Sequence, residues 1–259
     1  FTGTLWVGPR VFGRLNGGFA DIGGGRLTDD DFLVQDGGQI SSRTHSDIKN
    51  SSMHFINAEM GVRMREYAGG RGMLDAVVGF QYWHQEHQAY GVRQISCSNA
   101  GATVDLDSVK VGTQPLCNPG QAPISNSVLA ITNKASWYSI RAGLQTEYAI
   151  MERVSLQGSL LLKPLTVFHS EDTHHLRSSD LLAPSFTMLG VGMGADAEAG
   201  ARVMITNQVA LNVGYRVWWN RMIDGTWKNH PVSGASSSVP LVEYQTIRHG
   251  LTAGITVRF

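Results

Sequence analysis

The chain has 259 residues, with 21 basic and 21 acidic side chains, so its formal net charge is zero. That balance argues against a nucleic-acid partner, which calls for a basic excess. Charged residues make up only 16% and glycines number 30, a composition short of charge for a soluble surface but suited to a chain whose outside faces lipid.

No apolar run reaches the roughly 18 residues of a transmembrane helix. Phe1 to Arg10 lacks the basic start and long apolar stretch of a signal peptide, so an exported protein would be met here in mature or truncated form. The dominant signal is strict alternation of apolar and polar residues, the mark of strands with two unlike faces. It begins less cleanly over residues 10–22. Over 53–65, Ile56, Ala58, Met60, Val62 and Met64 oppose Asn57, Glu59, Gly61, Arg63 and Arg65. Over 74–82, Leu74, Ala76, Val78, Phe80 and Tyr82 oppose Asp75, Gly79 and Gln81. Further alternating stretches cover 138–148, 153–170, 189–203, 209–219 and 249–259, the last ending on Phe259.

These runs are about twice the ordinary strand length and match a tilted bilayer crossing. Their polar faces mix glycines with both charge signs, as suits a hydrated lumen. Tight turns are expected at 67–73, 150–153 and 205–207, and long polar connections at 23–52, 93–134, 171–186 and 224–242. The predicted fold is all-β: a single antiparallel up-and-down transmembrane β-barrel domain with eight strands visible. Tyr82, Tyr138, Tyr148, Phe168, Tyr215, Trp219 and Phe259 lie on outward parities and predict interfacial aromatic belts. Cys97 and Cys117 share one polar segment. Free thiols are the bland reading, and a loop disulfide the one that fits an oxidising compartment.

Two polar constellations could carry chemistry. Asp29 and Asp31, in the run Asp29-Asp30-Asp31-Phe32, are two residues apart and so share a face in extended chain. Close carboxylates can hold a water or share a proton; a solvated acidic loop is the bland alternative. Asp172 and His174, in His169-Ser170-Glu171-Asp172-Thr173-His174-His175, share a face in the same way. A carboxylate that orients an imidazole makes a general base; a His-rich polar loop is the alternative, and a metal set of His169, His174 and His175 has no supporting spacing. His84 and His87 differ in parity and face opposite sides of their strand. Both constellations follow strands that end on the long-loop side, so a water held between them could attack a peptide carbonyl.

The arrangement resembles the omptins, outer-membrane proteases built as ten-stranded barrels. Asp29-Asp30-Asp31-Phe32 matches their Asp-x-Asp-aromatic element, Asp172-Thr173-His174 their Asp-x-His element, and the stretch from Ser42 to Asp47 their Ser-Arg-His-rich segment. The closing alternating strand is similar to the C-terminal assembly signal of bacterial outer-membrane barrels, which would make Phe259 the true C-terminus. The resemblance implies a ten-stranded complete barrel, a bacterial outer-membrane location, contact with membrane lipid and lipopolysaccharide, a peptide or protein substrate, and no cofactor or metal. It also implies acidic groups that select basic residues, although Ser170 stands at one such position and only one strand, roughly 10–22, precedes Asp29. Two readings follow: a surface endopeptidase using Asp29, Asp31, Asp172 and His174, or a non-catalytic barrel acting as small channel, scaffold or accessory subunit with partner proteins at the cell surface.

Overall fold

A computed structural model describes residues 1–32, 40–98, 117 and 120–257. Its strands are β1 (Thr2–Val7), β2 (Val11–Ile22), β3 (Gly25–Phe32), β4 (Ile40–Tyr67), β5 (Gly72–Cys97), β6 (Ile124–Met151), β7 (Val154–His174), β8 (Leu181–Met204), β9 (Val209–Pro231), β10 (Ser238–Pro240) and β11 (Gln245–Val257). Every pairing is antiparallel, and the order follows the chain. β2 and β3 pair with successive halves of β4, and β11 and β10 with successive halves of β9. Each couple is therefore one long interrupted strand, so eight long strands follow the short β1 among the described residues.

The alternation sets the two faces. Ile56, Met60, Leu144 and Val213 are 49%, 63%, 47% and 59% exposed on the outer surface, where only lipid makes such residues favourable. Their neighbours Asn57, Glu59, Gln81, Ser139, Arg141 and Asp196 are buried inside. The sheet curls until facing strands touch through side chains: Arg14 on β2 donates to Gln145 on β6, Gln81 on β5 to Asp196 on β8, and Arg248 on β11 to Gln85 on β5. The interior is filled. A cluster of Trp83, Trp137, Phe168, Trp218 and Met222 forms its upper layer, above an ionic layer at the waist.

The three tight turns lie where the alternation breaks. In the first, Ala68, Gly69 and Gly70 all have positive φ, which explains the paired glycines. Three expectations need correction. Among the described residues the four long connections are mostly strand: β4 starts at Ile40, β5 runs to Cys97, β6 starts at Ile124, β7 runs to His174 and β9 to Pro231. Polar residues on both faces hid these extensions, which rise past the apolar band and need no lipid-facing side. Second, the parity is not unbroken. Lys163 and Pro164 on β7 together oppose Arg141 of β6, a bulge at which the register also shifts against β8. Third, and as a result, Phe168 does not face lipid: it is fully buried in the lumen, its ring 4.4 Å from that of Trp137. Tyr82, Tyr138, Tyr215 and Trp219 keep the expected outward parity, with the rings of Tyr82 and Tyr138 5.1 Å apart. Phe259 lies outside the described residues.

Candidate active site

The mouth of the lumen brings together strands that are not neighbours. β3 pairs with β4, and β7 lies three strands beyond β4 in the sheet. Asp29 and Asp31 share the inward parity of β3, opposite Thr44 and Ser42. Asp30 takes the other parity, where Arg43 donates to its two oxygens at 2.6 and 2.7 Å. This pairing holds Asp30 below the usual carboxylate range and leaves Asp29 and Asp31 as the carboxyls that face the mouth.

The β7 bulge decides where the second pair points. Below it Leu161 and Lys163 are buried; above it Thr166, Phe168 and Ser170 are. One extra residue has moved the inward positions from odd to even numbers. Proline suits the position because it has no N–H to offer the ladder. Without this shift Asp172 and His174 would lie on the outer face. With it, both line the mouth, at the upper end of β7 rather than in a loop.

His174 is held from several sides. Its backbone N–H donates to Oγ of Ser185 at 2.9 Å, and its ring meets Phe186 edge-on with centroids 5.0 Å apart. Its Nε2 lies 3.5 Å from Oδ2 of Asp172. That is longer than an ordinary hydrogen bond, and catalytic contacts commonly tighten only when substrate binds. The carboxylate favours the tautomer with the proton on Nε2, which leaves the Nδ1 lone pair free to take a proton. Both side chains keep some solvent contact, 20% for His174 and 17% for Asp172, so water can reach them.

Electrostatics ties the two halves together. Asp29 is pushed above the ordinary carboxyl range, mainly by burial and then by Asp31, with Asp172 adding and His174 opposing. Asp31, more exposed, is also raised by burial, with Arg177 and His174 pulling it down. His174 thus acts on both carboxyls across the mouth, and Asp172 on Asp29. Among the described residues no group of three His, Cys, Asp or Glu side chains is arranged to hold a metal. His169 faces outward beside Ser136, and Nε2 of His175 bonds Oγ1 of Thr132 at 2.8 Å, so the histidines of this segment do not converge.

Sequence reading missed the layer beneath. Tyr244, between β10 and β11, donates to Oδ1 of Asn133 at 3.1 Å, and Nδ2 of Asn133 donates to Oγ of Ser170 at 3.3 Å. Burial, with Asp172 adding, pushes the Tyr244 hydroxyl up to about 12, so it remains a donor. Nothing local marks Tyr244, because its partners lie on β6 and β7. His84 and His87 do face opposite ways: Nδ1 of His84 meets Oγ of Ser136 outside, and His87 meets Arg248 inside. Cys97 and Cys117 form a disulfide with Cα atoms 5.8 Å apart, anchoring the outer end of β5.

No family model matches the chain, and no curated protein matches it. Among solved structures, the outer membrane protease OmpT from Escherichia coli superposes with a TM-score of 0.69 at 14% identity, covering 96% of this chain and 79% of that one. The chain therefore has the all-β barrel fold of that outer membrane protease.

Proposed function

We propose that the protein is an endopeptidase of the bacterial outer membrane that activates water between Asp29, Asp31 and the Asp172–His174 pair. The observation that supports this reading is the approach of the two pairs from β3 and β7, close enough that His174 offsets part of the burial that raises both β3 carboxyls. Nδ1 of His174 takes a proton from water as its oxygen attacks the peptide carbonyl carbon. The new imidazolium is stabilised by Asp172. Asp29 and Asp31 orient the water, and collapse of the tetrahedral centre breaks the C–N bond while the proton passes from His174 to the leaving nitrogen. Membrane lipid, including lipopolysaccharide, covers the apolar band, and peptides or proteins reach the mouth from outside.

A channel is disfavoured by the filled interior, in which Trp83, Trp137, Phe168 and Lys163 have no solvent contact. The test is cleavage of internally quenched peptides by the chain folded in detergent with lipopolysaccharide. Cleavage that disappears in H174A and D29N, with the barrel still folded, supports the peptidase. A folded wild type that cleaves no peptide of a broad library leaves the scaffold reading standing.

A further inference from the structure

Beneath the Asp172–His174 pair the wall of the lumen changes sign. Arg248 reaches inward from β11, and its Nη2 and Nε donate to Oε1 of Gln85 at 3.2 and 3.3 Å. Nη2 also donates to Nε2 of His87 at 2.5 Å. Both acceptors are neutral, and no ion pair to Arg248 occurs among the described residues, although Arg141, Arg202 and Arg216 each have a carboxylate partner inside the same barrel. His87 cannot share the charge: burial, then Arg248, pushes its pKa down to about 4. Because Nε2 accepts, the His87 proton sits on Nδ1, which is buried with no hydrogen-bond partner among the described residues.

This donor group lies on the same inward wall as the Asp172–His174 pair. His87 pairs with Asn133 in the β5–β6 ladder, and Asn133 with Asp172 in the β6–β7 ladder. Two strand spacings separate them, roughly 10 Å. Tyr244 lies between, its hydroxyl acted on by both Asp172 and Arg248. Ser170, on the same inward face, is buried and neutral, its Oγ accepting from Asn133. A part-buried guanidinium with only neutral partners favours a planar carboxylate above other side chains.

We propose that this layer is the specificity pocket of the peptidase site and that Arg248 selects substrates with Glu or Asp beside the scissile bond. The inference rests on the peptidase reading for its biological meaning, but the pocket can be tested apart from it. Peptides that differ only in Glu, Gln or Arg at that position are presented to the folded chain in detergent with lipopolysaccharide. The expected kcat/KM is about tenfold or more higher for Glu than for Gln, the scale of one charge-assisted hydrogen bond. R248Q should bring the Glu-to-Gln ratio towards one, and R248E should make Arg the preferred residue. Equal rates for Glu and Gln, a wild-type preference for Arg, or an unchanged ratio in R248Q would overturn the proposal.

The same labelled peptides are also titrated against H174A by fluorescence anisotropy. If the wild type cleaves nothing, the peptidase reading fails, and this binding measurement alone decides the pocket. Tighter binding of Glu than Gln by the same margin, lost in H174A/R248Q, supports it. Equal binding overturns it.

Discussion

At the waist of the lumen, Arg141 lies 3.0 Å from both Glu59 and Asp196, Lys163 lies 2.6 Å from Asp196, and Arg14 lies 2.8 Å from Glu59. At the mouth, His174 stands 3.5 Å from Asp172, and Asp29 and Asp31 gather on one inward face. The same residue types thus serve different ends. Waist charges are buried and compensated, because an unpaired charge in a narrow interior costs several kcal/mol. Mouth side chains keep contact with water, and the Asp29 and Asp31 carboxyls are raised, mainly by burial and then, for Asp29, by Asp31. On the proposed reading, stability belongs to the first layer and chemistry to the second.

That division is broken or sharpened by four measurements. The largest expected effect is on turnover: H174A should lower kcat by about 10²–10⁴-fold, the share of a general base, with its denaturant midpoint unchanged. Loss of folding in H174A would erase the contrast between mouth and waist. Next, D196A should destabilise the barrel by about 3–5 kcal/mol, because Lys163 and Arg141 are left without Asp196 in a buried site. Tryptophan fluorescence during guanidinium unfolding reads this, and a wild-type midpoint would show that the waist charges are not structural.

Third, replacing Cys97 and Cys117 together by serine should cost about 3 kcal/mol from the entropy of the unfolded chain, read by the same unfolding curve. The smallest effect is a pH shift. Asp31 helps raise Asp29, so D31N should lower the Asp29 pKa and move the acid limb of kcat/KM to lower pH. Because the folded pKa of Asp29 is raised, its stability contribution is complete below the unfolded value of 3.8 and is lost as pH rises through the folded value. An acid limb that D31N leaves in place would separate Asp29 from the chemistry.

Much of the molecule can be read locally. A period of two is a property of neighbouring residues, so the alternation from Ile56 to Met64 or from Leu211 to Trp219 already separates lipid face from lumen face. The spacings Asp29–Asp31 and Asp172–His174 put each pair on one face for the same reason. The disulfide follows from two cysteines flanking a single polar segment. The upper halves of the strands were not legible, because beyond the apolar band both faces meet water and the alternation fades.

The sequence by itself determined an antiparallel barrel, the outward apolar faces of its unbulged strands, its tight turns and the two acidic motifs. Only the tertiary structure decided that Pro164 would bulge against Arg141, turning Phe168 inward and bringing Asp172 and His174 with it. It also decided that Tyr244 would stand beside β6 and Arg248 beside β5, far from both strands in the chain but in contact with them in space. Alternation is dictated bond by bond along a strand. A register shift and a contact across the lumen depend on how strands distant in sequence close around one another, which no local pattern records.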